Sequence, residues 1–506
     1  MATISASSGQ GALFELVARG VKDTYFVKDS SNSLFSYDAR YESSVPHLGE
    51  RRTMVPLADA SFGNTFEVEI DAYGDILTEC ALEIDLPTWF PSLPVQPGGQ
   101  PYSPERANGL YSITDLNGIS YGYVNYIAYF LFDKIQFYQD QFLIQEWSGD
   151  GLLAKQMTEG SANHSFLEQQ QGGLRDTTDS LTGEVTTRGL QLRATPGHLR
   201  LVLPLPGTQC PGDGGFPLVA MPWQTFRIRG TLRKLEDLVV CSDPTVFKPA
   251  PWSVPSMNYT FSDGVTVNSF IPLSRTQIGG PRLVLSTIQH YVSPKVQEEL
   301  RSTVIEIPYR RQFDNVFTFG ELDFIPLDKG GVAAVTRPLD GRHPTERMVW
   351  FFRSYNALDQ NRLDLWYNDY FDTRAPSGVQ PYTIPYGEFY YDLKLNIAGK
   401  DREELYDPLV WSSIHALCKD EKANGMHLGS MNWSTGEKYG TIYPAPRQPE
   451  GTVNFTTADR PTIYIELANI NTNPYLAQRK AEMRLFTEGW NVYVVKEGRG
   501  KAMFAS

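Results

Sequence analysis

Apolar and polar residues along this chain recur with a period of two. Phe66, Val68 and Ile70 alternate with Glu67 and Glu69, and Cys80, Leu82, Ile84 and Leu86 alternate with Glu79, Glu83 and Asp85. Each segment therefore carries one apolar and one polar face, as a half-buried β-strand does. The alternation returns at Ile135/Phe137, Leu199/Leu201/Leu203, Phe226/Ile228 and Leu283/Leu285, around Val316, and at Leu393/Leu395/Ile397, Val453/Phe455, Ile463/Ile465/Leu467 and Trp490/Val492/Val494. A one-residue slip in any of these strands would expose several large side chains at roughly 1.5–3 kcal/mol each, so register is strongly specified. Helical signals are few. Trp147 to Met157 reads as a short helix, and Ser293-Pro294 opens another toward Leu300. A third starts at Asp407-Pro408, an N-cap and first-turn pair, with Val410, Trp411, Ile414, Leu417 and Cys418 on one face. Long Pro- and Gly-rich stretches lie between strands, at 87–118, 326–345, 372–389 and 420–450. Loops of that length in a folded domain commonly carry function or contact partners.

A faint internal repeat organises the rest. Lys134-Ile135-Gln136-Phe137, a turn at Gln139-Asp140 and the Trp147 helix are echoed by Lys394-Leu395-Asn396-Ile397, Gly399-Lys400 and the Asp407 helix. Leu203-Pro204-Leu205-Pro206 leading into Phe226 is likewise echoed by Tyr443-Pro444-Ala445-Pro446 leading into Ile463. Two copies of one β unit, each a two-sheet sandwich, satisfy the strand count and the scarcity of helices. The predicted fold is all-β: two tandem eight-stranded jelly rolls with long loops and a few short helices. The expected division is an N-terminal arm with the start of the first roll at 1–46, a first roll at 47–240, a linker or insertion at 241–279, and a second roll at 280–506.

Composition narrows the partners. The 506 residues are 41% hydrophobic, enough to build real cores, and the 45 basic against 58 acidic residues give a net charge of −13. Without a basic cluster, such a surface repels a phosphate backbone, so direct nucleic-acid binding is not expected. Cys80, Cys210, Cys241 and Cys418 show no CxxC spacing and read as reduced thiols. The first basic residue is Arg19, so no signal-peptide pattern is present. The longest apolar-leaning stretch, Tyr123 to Ile144, is broken by Asn125, Asp133, Lys134, Gln136 and Asp140, and no transmembrane span is expected.

The chain shows no HExxH, Walker A, GxSxG or EF-hand pattern. His415 and Cys418 are spaced to share a helix face, but with no second His/Cys pair a packed cysteine beside a bonded histidine is the better reading. No catalytic residue, metal site or cofactor is expected. N-x-[ST] sequons at Asn163, Asn258 and Asn432 are possible glycosylation sites, Asn163 in a polar loop being the best placed; the fourth, Asn454, lies in a predicted strand. Trp350, Trp366, Tyr367, Tyr370 and Phe371 suit either a carbohydrate groove or a sandwich core or subunit interface, the latter being favoured.

Several segments together resemble a known family. They are Gly11-Ala12-Leu13-Phe14-Glu15-Leu16-Val17-Ala18-Arg19-Gly20 continuing to Tyr25-Phe26, the hairpin and helix over 135–157, Phe216 to Met221, the closing Asn491 to Ser506, and most specifically Gln448-Pro449-Glu450-Gly451-Thr452-Val453-Asn454-Phe455-Thr456. In this order they resemble the double jelly-roll major capsid proteins of nucleocytoplasmic large DNA viruses. The resemblance implies a structural protein and no enzyme. Two rolls per chain would stand side by side, three chains would form a pseudo-hexagonal homotrimer, and trimers would tile an icosahedral shell. It further implies outward loop towers and an N-terminal arm beneath the shell, with Leu13, Phe14, Leu16, Val17, Tyr25 and Phe26 as docking residues. The implied partners are the chain itself and neighbouring capsomers, minor capsid and penton proteins, and inner membrane-associated viral proteins. The implied location is the virion capsid, assembled in the host cytoplasm. The alternatives are a minor or vertex capsid protein of the same fold and a carbohydrate-binding β-sandwich protein.

Overall fold

A computed structural model of the chain describes residues 49–504, except 58–59, 90–110, 125, 159–174, 179–184, 192–197, 210–213, 242, 244–245, 262–265, 326–331, 343, 355–357, 360, 364–388, 398–399, 402–404, 409, 412–427, 434–450, 456–460 and 468–480. The alternating segments become antiparallel strands, most with the expected face inward; Val316 is an exception, 47% exposed. One sheet of the first roll runs β1 (Gly49–Leu57), β15 (Arg282–Tyr291), β3 (Ile76–Asp85) and β10 (Leu199–Val202). The other runs β2 (Thr65–Glu69), β11 (Phe226–Leu232), β6 (Phe132–Gln139) and β7 (Phe142–Trp147). Counted along the chain, these eight strands are ordered 1-8-3-6 and 2-7-4-5. The second roll repeats both orders. Its first sheet is β16 (Ile305–Phe319), β24 (Ala481–Lys496), β18 (Pro344–Ser354) and β21 (Gly429–Asn432), and its second is β17 (Ala333–Pro338), β23 (Thr462–Leu467), β19 (Tyr390–Ile397) and β20 (Lys400–Asp401). Two eight-stranded jelly rolls in tandem are therefore present.

One boundary moves. The expected division puts 282–291 in the second roll, but Leu283 pairs with both Leu57 and Ile84, so this strand closes the first sheet. The Pro-rich 241–279 is thus the connection from the seventh to the eighth strand. It also folds: β13 (Met257–Phe261) pairs with β14 (Thr266–Phe270) and with β4 (Tyr111–Asp115), while β12 (Val239–Cys241) pairs with β5 (Tyr121–Tyr123). Small pairs complete the strand set. β8 (Arg175–Thr178) joins β9 (Val185–Gln191), β22 (Val453–Asn454) joins β18, and β25 (Arg499–Ala502) joins β24.

The helical signals hold where they are described. Helix α1 (Ile127–Phe130) and helix α2 (Gly149–Thr158) bracket β6 and β7, and α2 starts against α1 so closely that a Cβ on Gly149 would collide with the Tyr129 carbonyl. Helix α3 (Pro294–Ser302) follows the Ser293 cap with Pro294 in its first turn and buries no residue. At Asp407 the side chain accepts the Val410 N–H at 2.9 Å, the expected cap; the helical residues expected beyond Trp411 lie outside the described residues.

The cores follow from the alternation. Leu82, Ile84, Leu201 and Leu285 face Val68, Phe137 and Ile228 in the first roll; Met348, Trp350, Phe352, Met483 and Leu485 face Leu393, Leu395, Ile463 and Ile465 in the second. The end of β24 departs from expectation. Tyr493 and Val495 are the buried pair and Val492 and Val494 are only half-buried, because here the odd-numbered side chains meet the first roll, where Tyr493 packs on Phe216 at 5.1 Å between ring centroids.

Candidate functional site: the seam between the rolls

The two central strands of the second roll's 1-8-3-6 sheet, β18 and β24, are buried on both faces along most of their length. One face lines its own core, and the other meets the first roll through α2, β7 and the segment before β11. Apolar contact comes first: Tyr309, Val349, Phe351, Phe486, Tyr493 and Val495 join the core cluster of the first roll. Around them lies a set of buried charges. Asp150 on α2, 0% exposed, meets Arg353 at 3.0 Å and Arg484 at 3.4 Å from the second roll, and Arg233 at 3.1 Å from its own. Arg353 also bonds Glu482 at 2.9 Å and the Leu363 carbonyl at 3.0 Å. Further along, Arg347 grips Glu488 with two N–H groups at 2.7 and 3.0 Å and donates to Thr158 on α2 at 3.0 Å, while Lys155 approaches Glu488 at 3.5 Å. Arg310 lies 3.2 Å from Glu346 and over the Trp490 ring, whose N–H donates to the same carboxylate at 2.5 Å.

Burial alone would raise the Asp150 carboxyl, but the guanidiniums of Arg353, Arg484 and Arg233 hold it at about 2. Glu488 follows the same balance and is held at about 2 by Arg347, Lys155 and Arg310. Asp314, at the rim of the cluster, goes the other way. Burial pushes it up to about 6 against the pull of Arg484, and the Asp150 charge adds to the rise.

Side-chain amides stitch the remaining edges. Gln209 pairs reciprocally with the main chain of Arg310, accepting its N–H at 2.8 Å and donating to its carbonyl at 2.9 Å, and Gln145 donates to the same carbonyl at 2.9 Å. Near the chain end, Gln224 accepts the Gly500 N–H at 2.6 Å, and Gln139 donates to the Gly500 carbonyl at 2.5 Å and accepts the Tyr493 hydroxyl at 2.6 Å. These glutamines complete backbone groups that strand edges would otherwise leave open.

Every carboxylate in the seam has a cationic partner, which makes it a rigid joint rather than a reactive cleft. Among the described residues no group of three or more His, Cys, Asp or Glu could hold a metal, and no helix is long and apolar enough to cross a membrane. Burial pushes the Cys80 thiol up to about 12 and the Cys241 thiol to about 11, away from nucleophilic character.

The residues singled out in the sequence are scattered. The arm residues Leu13 to Phe26, Asn163, Gln448, Pro449, His415, Cys418 and the aromatics 366–371 lie outside the described residues. Asn258 is half-buried on β13, Asn454 is exposed on β22, and Asn432 is buried within β21, closed to a glycosylating enzyme in the folded chain. Phe455 plugs the second core, packing on Gly341 and, at 5.8 Å, on Trp433; Asn454 and Val453 pair with Pro344 and Thr345, and Gly451 turns the chain there at φ 148°. Trp350 is fully buried against Trp411 at 5.6 Å, which makes it a core residue and removes it from any sugar groove. None of the seam charges was singled out. The available signal was the unbroken apolar run Met348-Val349-Trp350-Phe351-Phe352 flanked by Arg347 and Arg353, the mark of a strand covered on both sides.

No family model matches this chain, and no curated protein matches it. Solved structures do. The PBCV-1 virus capsid, described as a quasi-atomic model, aligns with a TM-score of 0.61 at 13% identity, over 93% of this chain and 100% of that one. PBCV-1 VP54, fitted into a reconstruction of the virophage Sputnik, aligns with a TM-score of 0.60 at 13% identity over the same shares. The Faustovirus major capsid protein aligns with a TM-score of 0.58 at 12% identity over 94% of each chain. Identities this low speak to architecture. The chain has the double jelly-roll fold of these major capsid proteins of large DNA viruses.

Proposed function

We propose that this chain is the major capsid subunit of a large DNA virus. It forms a homotrimer whose six rolls make a pseudo-hexagonal capsomer, and capsomers tile an icosahedral shell. The observation that carries this reading is the likeness over the full length of a capsid chain, both rolls included. The seam supports it: two rolls locked by buried ion pairs behave as one block, which is what a tiling unit requires. The acidic balance supports a shell protein without direct nucleic-acid contact. Residues 11–46 act as a docking arm toward minor capsid and inner membrane-associated proteins, penton proteins fill the vertices, and assembly takes place in the host cytoplasm. A permanent trimer of this kind buries roughly 2,000–5,000 Å² per interface.

Light scattering on the purified chain tests the central claim: three copies of a 56.9 kDa chain give ~170 kDa. A stable single-copy mass overturns it. A chain lacking residues 1–46 is expected to keep the trimer mass and to fail in shell formation; if it no longer trimerises, those residues belong to the capsomer core instead.

A further inference from the structure

The seam matches each of its carboxylates with a cation, but it does not match each cation with a carboxylate. Arg311 on β16 is 6% exposed, and among the described residues no acceptor takes its N–H groups and no acid lies within ion-pair distance. It rests over the Phe313 ring, 5.2 Å from the centroid. Its neighbours on the strand are engaged elsewhere, Arg310 with Glu346 at 3.2 Å and Gln312 with the Gly151 carbonyl at 3.2 Å. Across the seam it feels Glu146 of β7, but both oxygens of that carboxylate are taken, one by Lys134 at 2.9 Å and the other by the Gln136 amide at 2.6 Å.

A second arginine deepens the imbalance. The loop between β17 and β18 is pinned to β16 by Asn315, whose side chain accepts the Asp340 N–H at 2.7 Å and donates to the Asp340 carbonyl at 3.0 Å. Two residues on, Arg342 is exposed and, among the described residues, also lacks an acid within ion-pair distance. Burial presses the Arg311 guanidinium below its ordinary value, and the like charge of Arg342 presses the same way. Yet a guanidinium stays charged at any ordinary pH and carries five N–H donors. Burying it with none of them bonded is costly, and such a group calls for an acceptor from outside the chain.

We infer that Arg311 and Arg342 form an anion site at the rim of the seam, and that its ligand is a small inorganic dianion of the phosphate class. Two guanidiniums without a nearby counter-charge match one dianion, and their planar forks suit the paired oxygens of a tetrahedral oxyanion. The depth of Arg311 admits a free ion rather than a group carried on a macromolecule, and the exposed Arg342 marks its way in. The ion ties β16 to the loop ahead of β18 beside the place where Tyr309 of the same strand reaches the Ile144 carbonyl of β7 at 3.5 Å. It therefore serves as an exchangeable counterion of the joint between the rolls. The site is built within one chain and does not depend on how copies associate.

Calorimetric titration of the full chain with inorganic phosphate, in chloride of matched ionic strength at about pH 7.5, tests it. The native chain is expected to take up one phosphate per chain, Arg342→Met to bind it roughly tenfold more weakly or worse, and Arg311→Met not to bind it. A native chain that takes up no phosphate overturns the inference, and so does Arg311→Met binding it as the native chain does. Urea unfolding gives a second readout. Without phosphate, Arg311→Met is expected to unfold at no lower urea than the native chain, because the change removes an unmatched buried charge; with phosphate, the midpoint of the native chain alone is expected to rise beyond the general salt effect. A lower midpoint for Arg311→Met without phosphate means that the guanidinium is satisfied within the chain, and an equal rise in the native chain and both variants means salt exclusion; either result overturns the site.

Discussion

The two 1-8-3-6 sheets share a strand order and live in different surroundings. In the first roll, β3 sends Leu82 and Ile84 into the core and holds Glu79 and Glu83 toward Arg200 on the outside. In the second roll, β18 sends Met348, Trp350 and Phe352 into its core and turns Val349, Phe351 and Arg353 into the seam. Topology therefore fixes which strands are neighbours and says nothing of what their outer faces touch. The consequence is energetic. An ion pair on the first sheet keeps much of its hydration, whereas one on the second has lost it and depends wholly on its partner.

The largest break in this comparison is expected at Arg353. Replacing it with Met keeps most of the volume but leaves Asp150 and Glu482, both buried, without the guanidinium that touches them at 3.0 and 2.9 Å. Removing one member of a buried set typically costs about 3–5 kcal/mol. Urea unfolding of Arg353→Met is expected to show a loss of that size. A loss under about 1 kcal/mol would mean that Arg484 and Arg233 carry the cluster by themselves.

Much of the scaffold was legible before the structure and much of the seam was not, for one physical reason. Alternation reports a local fact, that a strand has one dry and one wet face, and it found β2, β3, β6, β11 and β23 in register. It fails where the decisive contact is distant. Nothing near residues 282–291 says which sheet receives them, because their partners are Leu57 and Ile84, far back in the chain. Met257, Tyr259 and Phe261 alternate too, but the prolines at 244–255 mask the pattern as a linker. Asp150 is one acid among 58 acidic residues, and only the fold brings Arg353 to it across 203 positions. The phase at 490–495 misled for a related reason: the drier side is set by the first roll, whose Phe216 meets Tyr493, and nothing local reports that contact.

A second effect sharpens the contrast through pH. Asp150 and Glu488 have depressed carboxyls, so their contribution is present above about pH 4 and is lost as pH falls toward about 2. Asp314 has the opposite sign. Its folded value of about 6 lies above its ordinary 3.8, so the folded chain takes up a proton first and stability rises as pH drops from about 7 to about 5. The seam is thus expected to be most stable between about pH 4 and 6. Asp314 stays open to solvent, so Asp314→Asn should change stability little and lose the pH dependence between 5 and 7 in thermal unfolding. An unchanged slope in that variant would place the titration elsewhere.

The smallest expected effect is the counterpart on the open sheet. Arg200 lies beside Glu79 and 3.0 Å from Glu83, and its side chain is 35% exposed, against none for Arg353. His198 completes the row, with Asp85 and Glu83 oxygens at 2.8 and 2.9 Å from its two ring nitrogens. Carboxylates only accept, so both nitrogens must donate and the ring is held as the cation; the Asp85 bond, with Glu83, raises its pKa against the opposing effect of partial burial. Arg200, Glu79, Asp85 and His198 keep contact with water while Glu83 is buried beneath them, and screening by salt acts on the exposed members directly. Arg200→Met is accordingly expected to cost no more than about 1 kcal/mol in the isolated chain, and that cost should disappear near 1 M salt, where the Debye length shrinks to about 3 Å. A loss comparable to that of Arg353→Met in the single-copy protein would mean that this face, too, is desolvated within one chain, and the difference drawn between the two sheets would fail.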